Sequence, residues 1–303
     1  MTNGRTDAQA LGLNRRDWLW RVGLGGTMAG FLAGCGKKPE SEAPVTGKPE
    51  EGSLIWAIEG HWRNASQRER DRFRHPIETI EFFGIDPRDT VIDVWPGSGY
   101  MTDILAPWLA RGKGQYIAAL IEAAEGTEAA ALNTQYRTHF EADKKLYGDM
   151  HFTSFGPQTT GLGEPASADC VLFLLTLHDW MAAGIAEKAF ADAFAVLKPG
   201  GILGIEQHRA DVGNVQDPAA TNGYVQEPFV RQLAGEAGFS FVEASEINAN
   251  PKDNKAHPFG VWTLPPQRLT SPRGEPPNPE FDGTLYESIG ESDRMTLKFK
   301  KPG

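Results

Sequence analysis

Cysteine is nearly absent: the 303 residues hold two, Cys35 and Cys170. A disulfide-stapled scaffold, the device of small secreted domains that lack a core, is therefore excluded. Positive charge is also short. Thirty Lys and Arg stand against 40 Asp and Glu, a net charge of −10. A surface that faces phosphates needs the opposite balance, so no nucleic-acid partner is expected. No uncharged run approaches the roughly 20 apolar residues of a membrane-spanning helix. There is no internal repeat, and no tight ligand spacing of the His-x-x-x-His kind. What remains is an ordinary globular composition, 40% hydrophobic and 23% charged, long enough for one large domain or two small ones.

The N-terminus stands apart from the rest. Asn14-Arg15-Arg16-Asp17-Trp18-Leu19 is a charged head, and Val22 to Gly34 is an uncharged stretch of Gly, Ala and Leu, the pattern of a signal peptide. The paired arginines followed by Asp-Trp-Leu resemble a twin-arginine export signal, whose pathway moves folded proteins; an ordinary Sec signal is the alternative. Leu32-Ala-Gly-Cys35 resembles a bacterial lipobox, which implies a lipidated Cys35 as the first mature residue and a membrane anchor. Residues 36–53, rich in Lys, Pro, Glu, Ser and Gly, read as a flexible tether. The expected organisation is a signal over 1–35, the tether, and one domain over 54–303. The expected location is the periplasmic side of a membrane. Cys170 lies in an apolar run and is expected to fill core space.

The most informative stretch begins at Thr90. Val91 to Val94 reads as a short buried strand, a glycine-bearing turn follows, and Met101, Ile104, Leu105, Trp108 and Leu109 mark one face of a helix. Pro107 is expected to kink that helix near its end. Strand, tight turn and helix make half of a βαβ unit, whose helix N-terminus offers unpaired N–H groups to a ligand above the sheet edge.

Helices and strands alternate along the rest. Ser66-Gln-Arg-Glu69 matches a capping box opening a charged helix to about Arg74, and Pro76 opens another closed by Gly84. Strands are predicted at Gln115–Ile121, His151–Phe155, Cys170–Leu177, Ile202–Glu206, Phe239–Ile247 and Arg294–Lys300. Helices are predicted at Glu125–Tyr136, Ala186–Leu197 and Glu227–Ala237. Between Pro251 and Pro279 lies an excursion with eight of the chain's 21 prolines. The fold class predicted is α/β: a Rossmann-like, seven-stranded, mostly parallel sheet with helices on both faces and an antiparallel edge hairpin.

Several stretches carry a resemblance. Val91-Ile-Asp-Val-Trp-Pro-Gly-Ser-Gly99 is similar to the glycine motif of class I S-adenosylmethionine-dependent methyltransferases, and Phe194-Ala-Val-Leu-Lys-Pro-Gly-Gly-Ile-Leu203 to that family's turn into its fifth strand. Phe82-Phe-Gly84, Trp95-Pro-Gly97, Ile104-Leu-Ala-Pro107, His178-Asp-Trp180 and Asp293-Arg-Met-Thr-Leu-Lys-Phe299 resemble a bacterial group of predicted, often exported methyltransferases. The resemblance implies S-adenosylmethionine as cofactor, with Asp93, Gly97 and Gly99 around its methionine part. The family's acidic residue for the ribose hydroxyls is missing at Leu120, and Glu122 is the nearest substitute. Trp95 stands where the family has its first glycine.

For chemistry, the carboxyl ends of the central strands are the place to look. His178, Asp179 and His208 are the candidate catalytic residues, either imidazole serving as a base for an acceptor. Asp93, His178, Asp179, Glu206 and His208 also permit convergence on a divalent metal, a reading their spacing does not support. Two functions stay open. One is methyl transfer to a small molecule or envelope component. The other, second to it, is a degenerate fold that binds a ligand or partner without turnover; it has weight because the cofactor is made in the cytoplasm and an exported enzyme would need it supplied.

Overall fold

A computed structural model describes residues 48–303. The expected signal peptide, the lipobox at Cys35 and residues 36–47 of the expected tether lie outside the described residues. Of the tether's last residues, Glu51 accepts a hydrogen bond from Arg111 at 3.0 Å, and Ser53 caps the first helix by accepting from the Trp56 N–H at 3.1 Å.

The elements run α1 (Leu54–Ile58), α2 (Ala65–Arg68), α3 (Asp71–Arg74), α4 (Pro76–Phe83), β1 (Thr90–Val94), α5 (Thr102–Gly112), β2 (Gln115–Ile121), α6 (Glu128–Glu141), α7 (Lys144–Tyr147) and β3 (His151–Phe155). They continue with β4 (Ala168–Leu174), α8 (Leu177–Ala182), α9 (Ala186–Val196), β5 (Leu197–His208), α10 (Glu227–Glu236), β6 (Ser240–Ser245), α11 (Thr284–Ile289) and β7 (Arg294–Lys300). The strands form one seven-stranded sheet in the order β3-β2-β1-β4-β5-β7-β6. The first five pair in parallel, and β7 enters antiparallel between β5 and β6. This is the predicted fold, with one refinement: the antiparallel pair at the edge is not a tight hairpin, because the proline-rich excursion separates its strands.

Both faces of the sheet are covered, which explains why β4 reads as an unbroken apolar run. Val171 and Phe173 pack with Phe190 and Ala193 of α9, while Cys170 and Leu172 join the opposite core with Ile104 and Leu105 of α5. Cys170 is thus a core filler, as its surroundings suggested. Helix α5 is buried along its whole first two turns, Thr102 to Leu109, rather than on one stripe. Pro107 sits inside it and cannot donate to the Asp103 carbonyl, and the Trp62 indole N–H donates to that carbonyl instead, at 2.9 Å.

Three local expectations need correction. The expected helix from Ser66 to Arg74 is two short helices, and its cap is Asn64, whose side chain accepts from the Ser66 N–H at 3.0 Å. The break follows from a tertiary contact: buried Arg63 holds Asp71 through two hydrogen bonds of 2.8 and 2.7 Å. The strand expected to reach Leu177 stops at Leu174, because Leu175 turns left-handed at φ 61° and Leu177 opens α8. Strand β5 is longer than expected, running through the Lys198-Pro-Gly-Gly turn to His208.

Candidate functional site

A cavity of about 250 Å³ opens over the carboxyl ends of β1, β4 and β5, the position where ligands bind in open α/β sheets. Its volume is just under the roughly 300–1,000 Å³ usual for small-molecule sites. The β1 turn forms one end. Asp93 is buried there, its Oδ2 accepting from the Tyr116 hydroxyl at 2.8 Å while Oδ1 has no partner. Burial raises its pKa to about 7, although the Tyr116 hydrogen bond acts in the other direction.

Glycine is required twice in this turn, for different reasons. Gly97 has φ 61° and nothing within 4 Å of where a Cβ would stand, so its backbone faces open cavity. Gly99 has φ 88°, and a Cβ there would meet the Phe140 ring at 2.5 Å, so it serves the packing of α6. Trp95 adopts the conformation a glycine would take with ease, φ 57°. Surrounding contacts hold it. Its indole N–H donates to the Phe155 carbonyl at 3.0 Å, its ring meets Trp180 edge-on at 5.8 Å, and its own N–H donates to the Ala119 carbonyl at 2.8 Å. Glu122 does not line the cavity. Its carboxylate accepts from the Gln158 N–H at 2.8 Å, and its Cβ lies where a side chain on Gly156 would have to stand.

The other end gathers the candidate catalytic residues. His178 and Asp179 lie on the first turn of α8, not at the end of β4 as expected, and His208 ends β5. All three line the cavity, and the two imidazole rings are 5.4 Å apart. Burial lowers both histidine pKa values, assisted at His208 by the nearby Arg294 and Arg74 charges, so both rings are neutral near pH 7. His178 Nδ1 lies 3.2 Å from Gln207 Nε2, and its Nε2 lies 3.5 Å from Asp179 Oδ2. His208 Nδ1 meets the Ser292 hydroxyl at 2.6 Å.

Sequence reasoning missed a buried charge cluster in the same cavity, where Arg70, Arg74, Glu206 and Glu291 are among the lining residues. Glu291 receives Arg70 Nε at 2.5 Å, Arg74 Nε at 3.0 Å and Arg294 Nη2 at 2.5 Å, while Arg294 Nη1 reaches Glu206 at 2.6 Å. Burial opposes ionisation of Glu291, but the Arg74, Arg294 and Arg70 charges together hold it well below the usual carboxylate range. It missed a wall as well. Trp262, in a 3-10 turn at Gly260–Thr263 within the proline-rich excursion, lines the cavity with the Arg273 guanidinium 3.6 Å above its ring. A lone Trp in a proline-rich stretch was the available signal. Tyr100, just after the glycine turn, also lines the cavity and donates to Asp71 at 2.6 Å; Asp103 instead accepts from Tyr147 at 2.8 Å. Among the described residues, no group of three or more His, Cys, Asp or Glu is arranged to hold a metal ion, and no helix is long and apolar enough to cross a membrane.

No family model matches the chain, and no curated protein matches it. Solved structures do. A S-adenosylmethionine-dependent methyltransferase from Aquifex aeolicus is 20% identical over 59% of this chain and 87% of its own, with a TM-score of 0.44. A putative methyltransferase from Bacillus halodurans is 13% identical over 76% and 100%, with a TM-score of 0.47. The 1,6-didemethyltoxoflavin-N1-methyltransferase of Burkholderia thailandensis is 16% identical over 87% and 94%, with a TM-score of 0.43. The sheet order, with β7 reversed between β5 and β6, is the Rossmann-like, mostly parallel seven-stranded fold expected from the sequence.

Proposed function

We propose that this chain is a S-adenosylmethionine-dependent methyltransferase acting on a small molecule or envelope component, exported and anchored to a membrane through lipidated Cys35. The observation that carries the activity is the Asp93 carboxyl. Its Oδ1 is buried and partnerless at the end of β1, beside the open backbone of Gly97. A buried acceptor atom without a partner costs about 1–3 kcal/mol, and a ligand donor such as an ammonium removes that cost. Asp93 and Gly97 would hold the methionine part of the cofactor, with Gly99 shaping the turn. When bound, the cofactor supplies a methyl group on a positively charged sulfur. The imidazoles of His178 and His208 then lie at the acceptor end of the same cavity, whose wall includes Trp262 and the two consecutive prolines Pro265 and Pro266.

Isothermal titration of the purified chain with S-adenosylmethionine and S-adenosylhomocysteine tests this. Binding in the micromolar range is expected, and absence of heat at about millimolar ligand sinks the reading.

A specific observation favours a second reading, a ligand-binding protein without turnover. The Trp95 indole occupies the turn where the family pattern has glycine, and Glu122 is spent on the Gln158 N–H. Cofactor binding without methyl transfer to any cell-envelope extract supports that alternative.

A further inference from the structure

Gln207 lies between Glu206 and His208 on β5 and is fully buried. Its Nε2 stands 3.1 Å from the Gly223 carbonyl oxygen and 3.2 Å from His178 Nδ1. A carbonyl oxygen only accepts, so the amide must turn its NH2 group toward Gly223; reversed, oxygen would face oxygen. That group has two protons. One goes to Gly223, and the other points at His178 Nδ1. A ring nitrogen that accepts a hydrogen bond carries no proton, so the neutral ring must keep its proton on Nε2. The Nε2 side agrees, because an acceptor, Asp179 Oδ2, stands 3.5 Å from it.

We infer that Gln207 is a positioning residue that locks His178 as the Nε2–H tautomer, a hydrogen-bond donor, and leaves His208 as the proton acceptor of the cavity. A catalytic Asp–His pair works the other way round: the carboxylate takes the ring N–H, and the second nitrogen faces substrate with its lone pair. At His178 that lone pair faces a buried amide. His208 is not constrained in this way. Its Nδ1 partner is the Ser292 hydroxyl, which accepts a proton as readily as it donates one, so Nε2 is able to present a lone pair to the cavity.

The role for His208 rests on the methyltransferase reading. Methylation of an O–H or N–H acceptor forms a carbon–heteroatom bond, leaves the carbon–sulfur electron pair on sulfur, and releases one proton. His208 takes that proton, and His178 donates a hydrogen bond that orients the acceptor.

The tautomer is measurable without any activity. Two-bond ¹H–¹⁵N correlation spectra of the ¹⁵N-histidine-labelled chain near pH 7, with His178 assigned by its loss in His178→Gln, are expected to show a protonated Nε2 and a bare Nδ1. Gln207→Leu, of similar volume without the donor, is expected to mix the two tautomers, and Gln207→Glu to move the proton to Nδ1. A bare Nε2 in the wild type, or His178 signals unmoved in both Gln207 variants, overturns the inference. With radiolabelled S-adenosylmethionine and envelope extract, His178→Gln keeps a donor near the Nε2 position and should retain methyl transfer within about tenfold. His208→Gln should lose about a hundredfold to ten-thousandfold in kcat, with cofactor affinity kept. The reverse order of losses refutes the assignment. Absence of transfer even in the wild type counts against the methyltransferase reading, while the spectra still decide the tautomer.

Discussion

The Tyr116 hydroxyl donates to one oxygen of the Asp93 carboxyl at 2.8 Å, while the other oxygen, equally buried, has no partner. A carboxyl so placed is a poor anion. With its pKa raised to about 7, Asp93 is half protonated at neutral pH.

The sign of the resulting pH dependence follows directly. The folded chain holds this proton up to about pH 7, whereas an unfolded Asp releases it near pH 4, so the contribution is complete below pH 4 and lost as pH rises to 7. The full span is about 4 kcal/mol at most. Asp93→Asn, neutral at all pH values, should be more stable than the wild type at pH 8 and lose that advantage below pH 4, measured by urea unfolding. The same variant should bind S-adenosylmethionine about tenfold to a hundredfold more weakly, through loss of a charge-assisted hydrogen bond.

Glu291 behaves in the opposite sense. Its folded pKa lies below its unfolded one, so its contribution is present above about pH 4.5 and disappears as acid protonates it. Glu291→Gln leaves Arg70, Arg74 and Arg294 without their common carboxylate, with Arg294 buried. Breaking a buried pair in this way should destabilise the fold by about 3–5 kcal/mol, read from the denaturation midpoint at pH 7.

Trp95→Gly removes a buried indole and relieves a left-handed residue. Loss of a buried Trp side chain costs about 3–5 kcal/mol, and relief of the positive φ returns about 1 kcal/mol. A net loss of about 2–4 kcal/mol is expected by calorimetry. No loss would mean that the neighbouring Phe155 and Trp180 rings close the gap.

Cys170 is buried in the sheet, and burial pushes its thiol pKa up. It should resist maleimide in the native chain and react once denaturant unfolds it. Labelling of Cys170 at native pH 8 would show that β4 opens locally.

The half βαβ unit at Thr90–Gly112 was legible because its signals are local: a strand, a glycine turn and a helical stripe within one short stretch. Gly97 and Gly99 look alike in sequence, but one faces a cavity and the other faces Phe140, a distinction made by α6 far along the chain. The break between α2 and α3 was illegible for a similar reason, since Arg63 imposes it by holding Asp71. The Glu291 cluster was hidden by separation, with Arg70 and Glu291 221 positions apart. Gln207 was hidden by chemistry. A buried amide in a strand has no periodic signature, and its role emerges only when Gly223 and His178 stand on either side of it.

β7 comes after every other strand in sequence, yet it fills the gap between β5 and β6 and brings Arg294 beneath Glu206. A nascent chain with β1 to β6 already translated has the glycine turn and both histidines, but no counter-charge for Glu206 and no strand to hold β6. A chain cut before residue 294 therefore keeps every residue that lines the cavity, up to Ser292, and loses the charge that balances Glu206.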